Sequence, residues 1–412
     1  MKRLINKILF GLTLTGGSLG LHSCGDWLDI NSNELAATKT EAGYLFNYAA
    51  INYSSKRVGG DQWLPIIYAA QVASDADNWF VGADMYNIST YSTGNGWVTS
   101  YSSCGYNLLK AIEFATGEND SNSVAQCKIL LANTVWESSM LYGDIPYSEA
   151  WNIEGTQTPK FDTQKDVFYS VIGLLDEALD GIDESNSKRI DKYDIYYTGD
   201  MAKWRRLGNS LKLKFYMYLA NKEDVGDEIK AIIDGGELMN SSADDFVFPF
   251  YTTPGNQNPN YQLTVQYPDY YEYCFFANPT VLDPMKALDD PRIPIYFRAN
   301  ADGEYISLEA SEKGSVVTDK EISEKPSLCT EAVFQKNNLL RADYPDVICS
   351  YAETMFYVAE AYVRGLGVAK DLAQADAAYR KGIEASCVYN GVAAATAASF
   401  AAGVPSLSTL GG

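Results

Sequence analysis

The stretch from Val124 to Tyr142 limits the fold of this chain more than any other part of it. It is apolar on nearly every side of a helix. A helix of that kind is stable in water only when other helices surround it. The sequence supplies such neighbours. After Asp162-Thr163-Gln164-Lys165-Asp166, which carries helix-start chemistry, Val167, Val171, Leu174, Leu175, Ala178 and Ile182 recur on one face. Trp204, Leu207, Leu211, Phe215 and Tyr218 do the same further on. Ser350 and Glu353 form a capping-box pattern ahead of Tyr351, Met355, Val358 and Tyr362, and Asp371 opens a last helix with Leu372, Ala375, Tyr379 and Ile383 on its face. The expected fold is mainly α.

The last two of these helices resemble a tetratricopeptide unit. Ala359 and Tyr362 in the first, and Ala375, Tyr379 and Gly382 in the second, put small residues where two helices approach and an aromatic in the groove beside them. The whole reads as a tetratricopeptide-like helical scaffold with an irregular, Pro/Tyr-rich subdomain at 241–346. There Pro249, Pro254, Pro259, Pro268, Pro279, Pro284, Pro291 and Pro294 interrupt regular elements. The expected organisation is a leader over 1–23, a polar tether over 24–40, the scaffold with its loops over 41–240, the irregular subdomain, a helix pair over 347–390, and an Ala-rich tail without a strong face over 391–412.

The leader has a positive start at Met1-Lys2-Arg3 and Lys7, an apolar run from Ile8 to Leu21, and a close at Leu21-His22-Ser23-Cys24. The run is short for a bilayer span. An aliphatic residue three before a cysteine, with a small residue just before it, is the pattern of a lipobox, so Cys24 is the expected lipidation site.

Two features of composition narrow the chemistry. The formal charge is −21 and the leader holds none of the acidic residues, so the exported chain repels phosphate backbones; nucleic acid is not an expected partner. The single histidine, His22, lies in the leader. Without histidine, Ser-His-Asp and Cys-His mechanisms and imidazole metal sites are closed. Cys104, Cys127, Cys274, Cys329, Cys349 and Cys387 are widely spaced and lack metal-ligand spacing; buried thiols and disulfides both remain open. No cofactor or metal is expected.

Four segments then carry a resemblance. Ser23-Cys24-Gly25-Asp26-Trp27-Leu28-Asp29, Leu141-Tyr142-Gly143-Asp144-Ile145-Pro146-Tyr147-Ser148-Glu149-Ala150, Lys203-Trp204 with Asn209-Ser210-Leu211-Lys212-Leu213-Lys214, and Asp290-Pro291-Arg292 resemble, in order and spacing, the SusD/RagB outer-membrane lipoproteins of Bacteroidetes, SusD-like branch. Lys214 stands where that family usually has arginine. The family also continues with a further C-terminal segment, which the resemblance implies is lacking here. The resemblance implies an outer-membrane lipoprotein, anchored by lipid and facing the exterior. It would bind an oligosaccharide or other nutrient and hand it to a SusC-like TonB-dependent β-barrel.

The same resemblance puts part of the ligand platform in loops of the N-terminal half. Asp77, Asn78 and Trp79, followed by Tyr86, Tyr91, Trp97 and Tyr101, suit a neutral polyol. Aromatic faces cover the C–H faces of a sugar ring, and Asp or Asn bonds its hydroxyls. Tyr270 and Tyr271, beside the prolines, form a second candidate cluster. Asp75 and Asp77 do not complete a calcium loop and are not opposed as a glycosidase pair. Asp144 and Glu149 are read as structural, with Gly143 taking positive φ at a helix end. Two other functions compete: a two-carboxylate carbohydrate hydrolase, and a lipid-anchored tetratricopeptide adaptor with protein partners only.

Overall fold

Side-chain caps start the long helices in the computed structural model, which describes residues 40–59, 72–74, 90–152, 154–266, 275–277, 279–299, 302–307, 333–334 and 341–409. Ala42–Gly412 belong to one unit. Its N-terminal half runs through α1 (Ala42–Gly59), β1 (Val72–Ser74), α2 (Thr90–Val98), a π-helical segment (Thr99–Gly105), α3 (Tyr106–Gly117), α4 (Ser121–Tyr142), α5 (Gln164–Gly181), α6 (Met201–Leu219) and α7 (Gly226–Gly235). The second half holds β2 (Phe246–Phe248), α8 (Pro259–Gln266), β3 (Phe275–Ala277), α9 (Pro279–Ala287), α10 (Ile293–Tyr296), β4 (Phe297–Arg298), β5 (Val333–Phe334), β6 (Asp346–Cys349), α11 (Tyr351–Arg364), α12 (Leu372–Tyr389) and α13 (Ala394–Gly403). Asp120, Thr163, Asp200, Ser350 and Asp371 each accept a backbone N–H at the start of α4, α5, α6, α11 and α12. The Ser350 half of the expected capping box is present; the Glu353 carboxylate bonds Lys214 and Tyr357.

Helix α4 lies where its sequence requires, packed by α1, α3, α5 and α6. Its Trp136 stacks on Phe215 of α6 at 4.8 Å and 12°. Asn122 and Gln126 are tolerated in this buried helix because both find partners. Asn122 donates to the carbonyls of Asp183 and Lys188, and Gln126 donates to Ile190 O while accepting its N–H. These bonds clamp the 183–194 connection across the helix. The same logic explains the Lys203-Trp204 motif. The Trp204 indole, fully buried, donates to Asp194 at 2.7 Å, Lys203 donates to Ala243 O, and Ser210 accepts from Met239 N. Burying a side chain the size of Phe215 contributes roughly 1.5–3 kcal/mol over leaving it exposed. Arg57 of α1 bonds Glu137 of α4 and Asp346 of β6, joining three elements distant in sequence.

Among the described residues of 241–346, several prolines stand where short regular elements begin. Pro259 and Pro279 open α8 and α9, and Pro294 sits in the first turn of α10, positions where a missing N–H costs nothing. β2 pairs antiparallel with β6, and a second sheet runs β1-β3-β5-β4. Asp290-Pro291-Arg292 fastens this segment to the helix pair: Arg292 bridges Asp290 and donates to Ser386 of α12 at 2.8 Å.

Helices α11 and α12 pack closely, as their small residues predict. A Cβ on Gly382 would come within 2.6 Å of the Phe356 ring. The Ala-rich tail, expected to lack a face, instead forms α13. Ala397, Ala401 and Val404 close a core with Ile383 and Cys387 of α12. Cys104, Cys127, Cys349 and Cys387 are buried free thiols; Cys274 and Cys329 lie outside the described residues.

Candidate functional site

Of the expected site residues, Cys24, Asp77, Asn78, Trp79, Tyr86, Tyr270 and Tyr271 lie outside the described residues, and so does the Tyr91 side chain within α2. What the structure does place is the pair of strands that lead to the two aromatic clusters. β1 and β3 are antiparallel, with Ser74 opposite Phe275. Asp77-Asn78-Trp79 follows Ser74, and Tyr270-Tyr271 precedes Phe275, each within five residues. Sequence reading had treated them as separate clusters.

Trp97 is described in full. It lies near the end of α2, where the helix passes without a break into the seven-residue π segment. π turns are rare, and they occur frequently at functional sites. The half-buried Trp97 ring meets Tyr101 at 4.9 Å, Tyr142 at 5.1 Å and Phe161 at 6.4 Å, the last at an interplanar angle of 27°. Tyr101 in turn meets Trp151 at 5.3 Å. Trp97 is therefore one ring in a connected series, rather than an isolated platform on a loop.

The series is fixed at several points. Tyr101 O accepts both the Tyr106 N–H of the π turn and the Trp151 indole N–H, the latter at 2.7 Å. The Tyr101 hydroxyl donates to Pro146 O at 2.6 Å; burial, and then the Asp162 carboxylate, push its pKa up, which keeps it a donor. Trp151 has φ +60°, a left-handed conformation that costs a bulky residue about 1–2 kcal/mol. Its ring lies on Gly105, where a Cβ would sit 2.2 Å from the indole. Beneath these residues a cavity of about 10 Å³, lined by Tyr101, Thr134, Val135, Ile145, Pro146 and Trp151 among others, has room for a single water and none for a sugar.

The turn after α4 supports the same rings. Gly143 takes φ +76° at the helix end, as its place in the sequence predicts. Ile145 and Asp162 form a two-way backbone bridge. The Asp162 carboxylate accepts the N–H groups of Tyr147 and Ser148 and the Ser148 hydroxyl. Burial opposes ionisation there, yet the Ser148 and Tyr147 donors prevail and hold this carboxyl below its usual range. Asp144 caps Gln164 N and Glu149 caps Lys160 N, so both carboxylates serve the backbone, in keeping with their structural reading. Sequence reading passed over Phe161 and Trp151 as site residues, while Tyr101 stood among its candidate aromatics. The signal that was present is a Phe with no helical face to join, between Lys160 and Asp162.

The sequence matches, over residues 33–404, the SusD-like family described as starch-binding and associating with the outer membrane. No curated protein matches it. Among solved structures, a chitin-binding protein superposes with a TM-score of 0.71 at 21% identity, covering 89% of this chain and 80% of its own. A SusD homologue from Bacteroides fragilis gives 0.68 at 22% identity, covering 88% and 78%. A SusD-like protein described as Bacteroidetes AC2a gives 0.67 at 20%, covering 90% and 82%. At these identities the structures establish the helical fold.

Proposed function

Because the chain belongs to the SusD-like family of starch-binding proteins associating with the outer membrane, we propose that it is a surface lipoprotein that binds an oligosaccharide and delivers it to a SusC-like TonB-dependent transporter. Its role is that of a carbohydrate-binding protein of the outer membrane rather than an enzyme, so the two-carboxylate hydrolase is set aside. The observation that carries the binding reading is the pairing of Ser74 with Phe275. On this reading the segments that continue from these two positions in the sequence, Asp77-Asn78-Trp79 and Tyr270-Tyr271, supply hydrogen-bonding side chains and stacking rings to one site. Such a site holds a neutral polyol by C–H stacking and hydroxyl bonds and needs no metal. Tyr86 and Tyr91, between β1 and Trp97, extend the same reading.

The test is a binding screen of the mature chain on oligosaccharides that include maltoheptaose and chitohexaose. The first follows the family's description, and the second follows the chitin-binding protein of similar fold. Binding that falls in Trp79→Ala and in Tyr271→Ala, with melting temperature held, supports one shared site. Loss in neither variant would remove the loops from it. Anchoring is checked separately, by fatty-acid labelling of cells, which Cys24→Ala should abolish.

A further inference from the structure

We propose that Phe161 is a sugar-stacking residue, the open end of the ring series that runs through Trp97 and Tyr101 to Trp151. The inference rests on the carbohydrate-binding reading and adds to it a contact on the rigid scaffold, apart from the two loops.

Three observations carry it. First, Phe161 is 63% exposed, and its ring lies 6.4 Å from that of Trp97 and only 27° from parallel. A Phe that served the core would be buried, and one that served the turn could be any residue. Second, the exposed ring is held still. Lys160 N is bonded to Glu149, and Asp162 is bridged to Ile145 and holds Ser148 through its carboxylate, so both neighbours of Phe161 are fixed. An aromatic fixed in advance loses little freedom on binding, and that is the arrangement a binding contact requires. Third, the support behind it is locally unfavourable. The π segment, the left-handed Trp151 and the absence of room for a Cβ at Gly105 converge on the one place where Trp151 bonds Tyr101. Strain of this kind concentrates where a site must be shaped.

The surroundings select a sugar as occupant. The exposed ring is flanked in the chain by polar residues, with the Lys160 side chain 61% exposed and paired with Asp162 at 3.5 Å. One ring with charged and hydroxyl groups beside it matches a pyranose, whose C–H face is apolar and whose rim both donates and accepts.

The experiment titrates the mature chain, wild type and variants, on an oligosaccharide panel that includes maltoheptaose and chitohexaose, with thermal melting on the same samples. Because Phe161 is exposed, Phe161→Ala should keep the wild-type melting temperature. Its affinity for the bound oligosaccharide should fall about three- to tenfold, and Phe161→Trp should restore it. Wild-type affinity retained in Phe161→Ala, while Trp79→Ala loses it, would overturn this inference and leave the loop site standing. An affinity loss that Phe161→Trp does not reverse would also overturn it, since stacking would not be the cause. No binding of any panel member by the wild type would overturn both readings together.

Discussion

Lys214 of α6 reaches Glu353 of α11 at 2.9 Å, with its ammonium 5.0 Å from the centre of the Trp136 ring. The residue is 7% exposed. Burial works to lower its pKa, but the Glu353 carboxylate prevails and raises it, so Lys214 remains charged inside the helix scaffold. This pair ties the N-terminal helices to the tetratricopeptide-like pair.

The two ends of that pair are not equivalent. Glu353→Gln leaves a buried ammonium without its counter-charge and should cost about 3 kcal/mol in urea denaturation. Lys214→Met keeps the stem's volume and leaves a carboxylate that still accepts from Tyr357 at 2.9 Å, so its cost should be about 1 kcal/mol. Equal costs, or the reverse order, would contradict this account of the pair.

Asp245 gives a pH dependence of known sign. Burial raises its pKa to about 6, although Tyr351 N donates to it at 2.6 Å. Its folded pKa lies above the unfolded value, so it favours the folded state fully below pH 3.8 and loses that contribution as pH rises through 6. Asp245→Asn keeps the acceptor and removes the charge. The variant should be more stable than wild type at pH 7, by on the order of 1–3 kcal/mol, and the difference should vanish near pH 4. Thermal melts at both values decide; a gap that grows toward acid would refute it.

Arg380 holds the tail. Its guanidinium donates to the carbonyls of Ala401, Ala402 and Val404, at the end of α13, and pairs with Asp376, which accepts from Leu407 N. Helix ends leave carbonyls unpaired, and a cation there is favourable. Arg380→Ala should speed amide exchange across 394–404 by at least about tenfold and leave α4 protected. Uniform exchange across both would contradict a local role.

That tail also shows where sequence reading stops. The long helices were legible because their apolar positions contrast with polar ones and because Thr163, Ser350 and Asp371 mark their starts. Residues 391–412 are rich in alanine, serine and glycine, which give little contrast, and the partner that fixes them, Arg380, lies on another helix. The β1-β3-β5-β4 sheet was invisible for a different reason. Its strands are two or three residues long, too short for an alternating pattern, and Ser74 meets a residue two hundred positions away. The proposed site divides the same way. Its proposed loop residues stood out by residue type. Phe161 did not, because nothing in a lone Phe says that its neighbours are pinned by Ile145 and Glu149.

The central claim is binding of a carbohydrate without metal and without cleavage. It is tested most directly by titrating the mature chain with each oligosaccharide of the panel, in EDTA and in added calcium, and assaying the same samples for new reducing ends. The account predicts saturable binding to at least one member, equal in the two buffers, with reducing ends constant over the titration. Binding that disappears in EDTA, or reducing ends that rise with time, would contradict it.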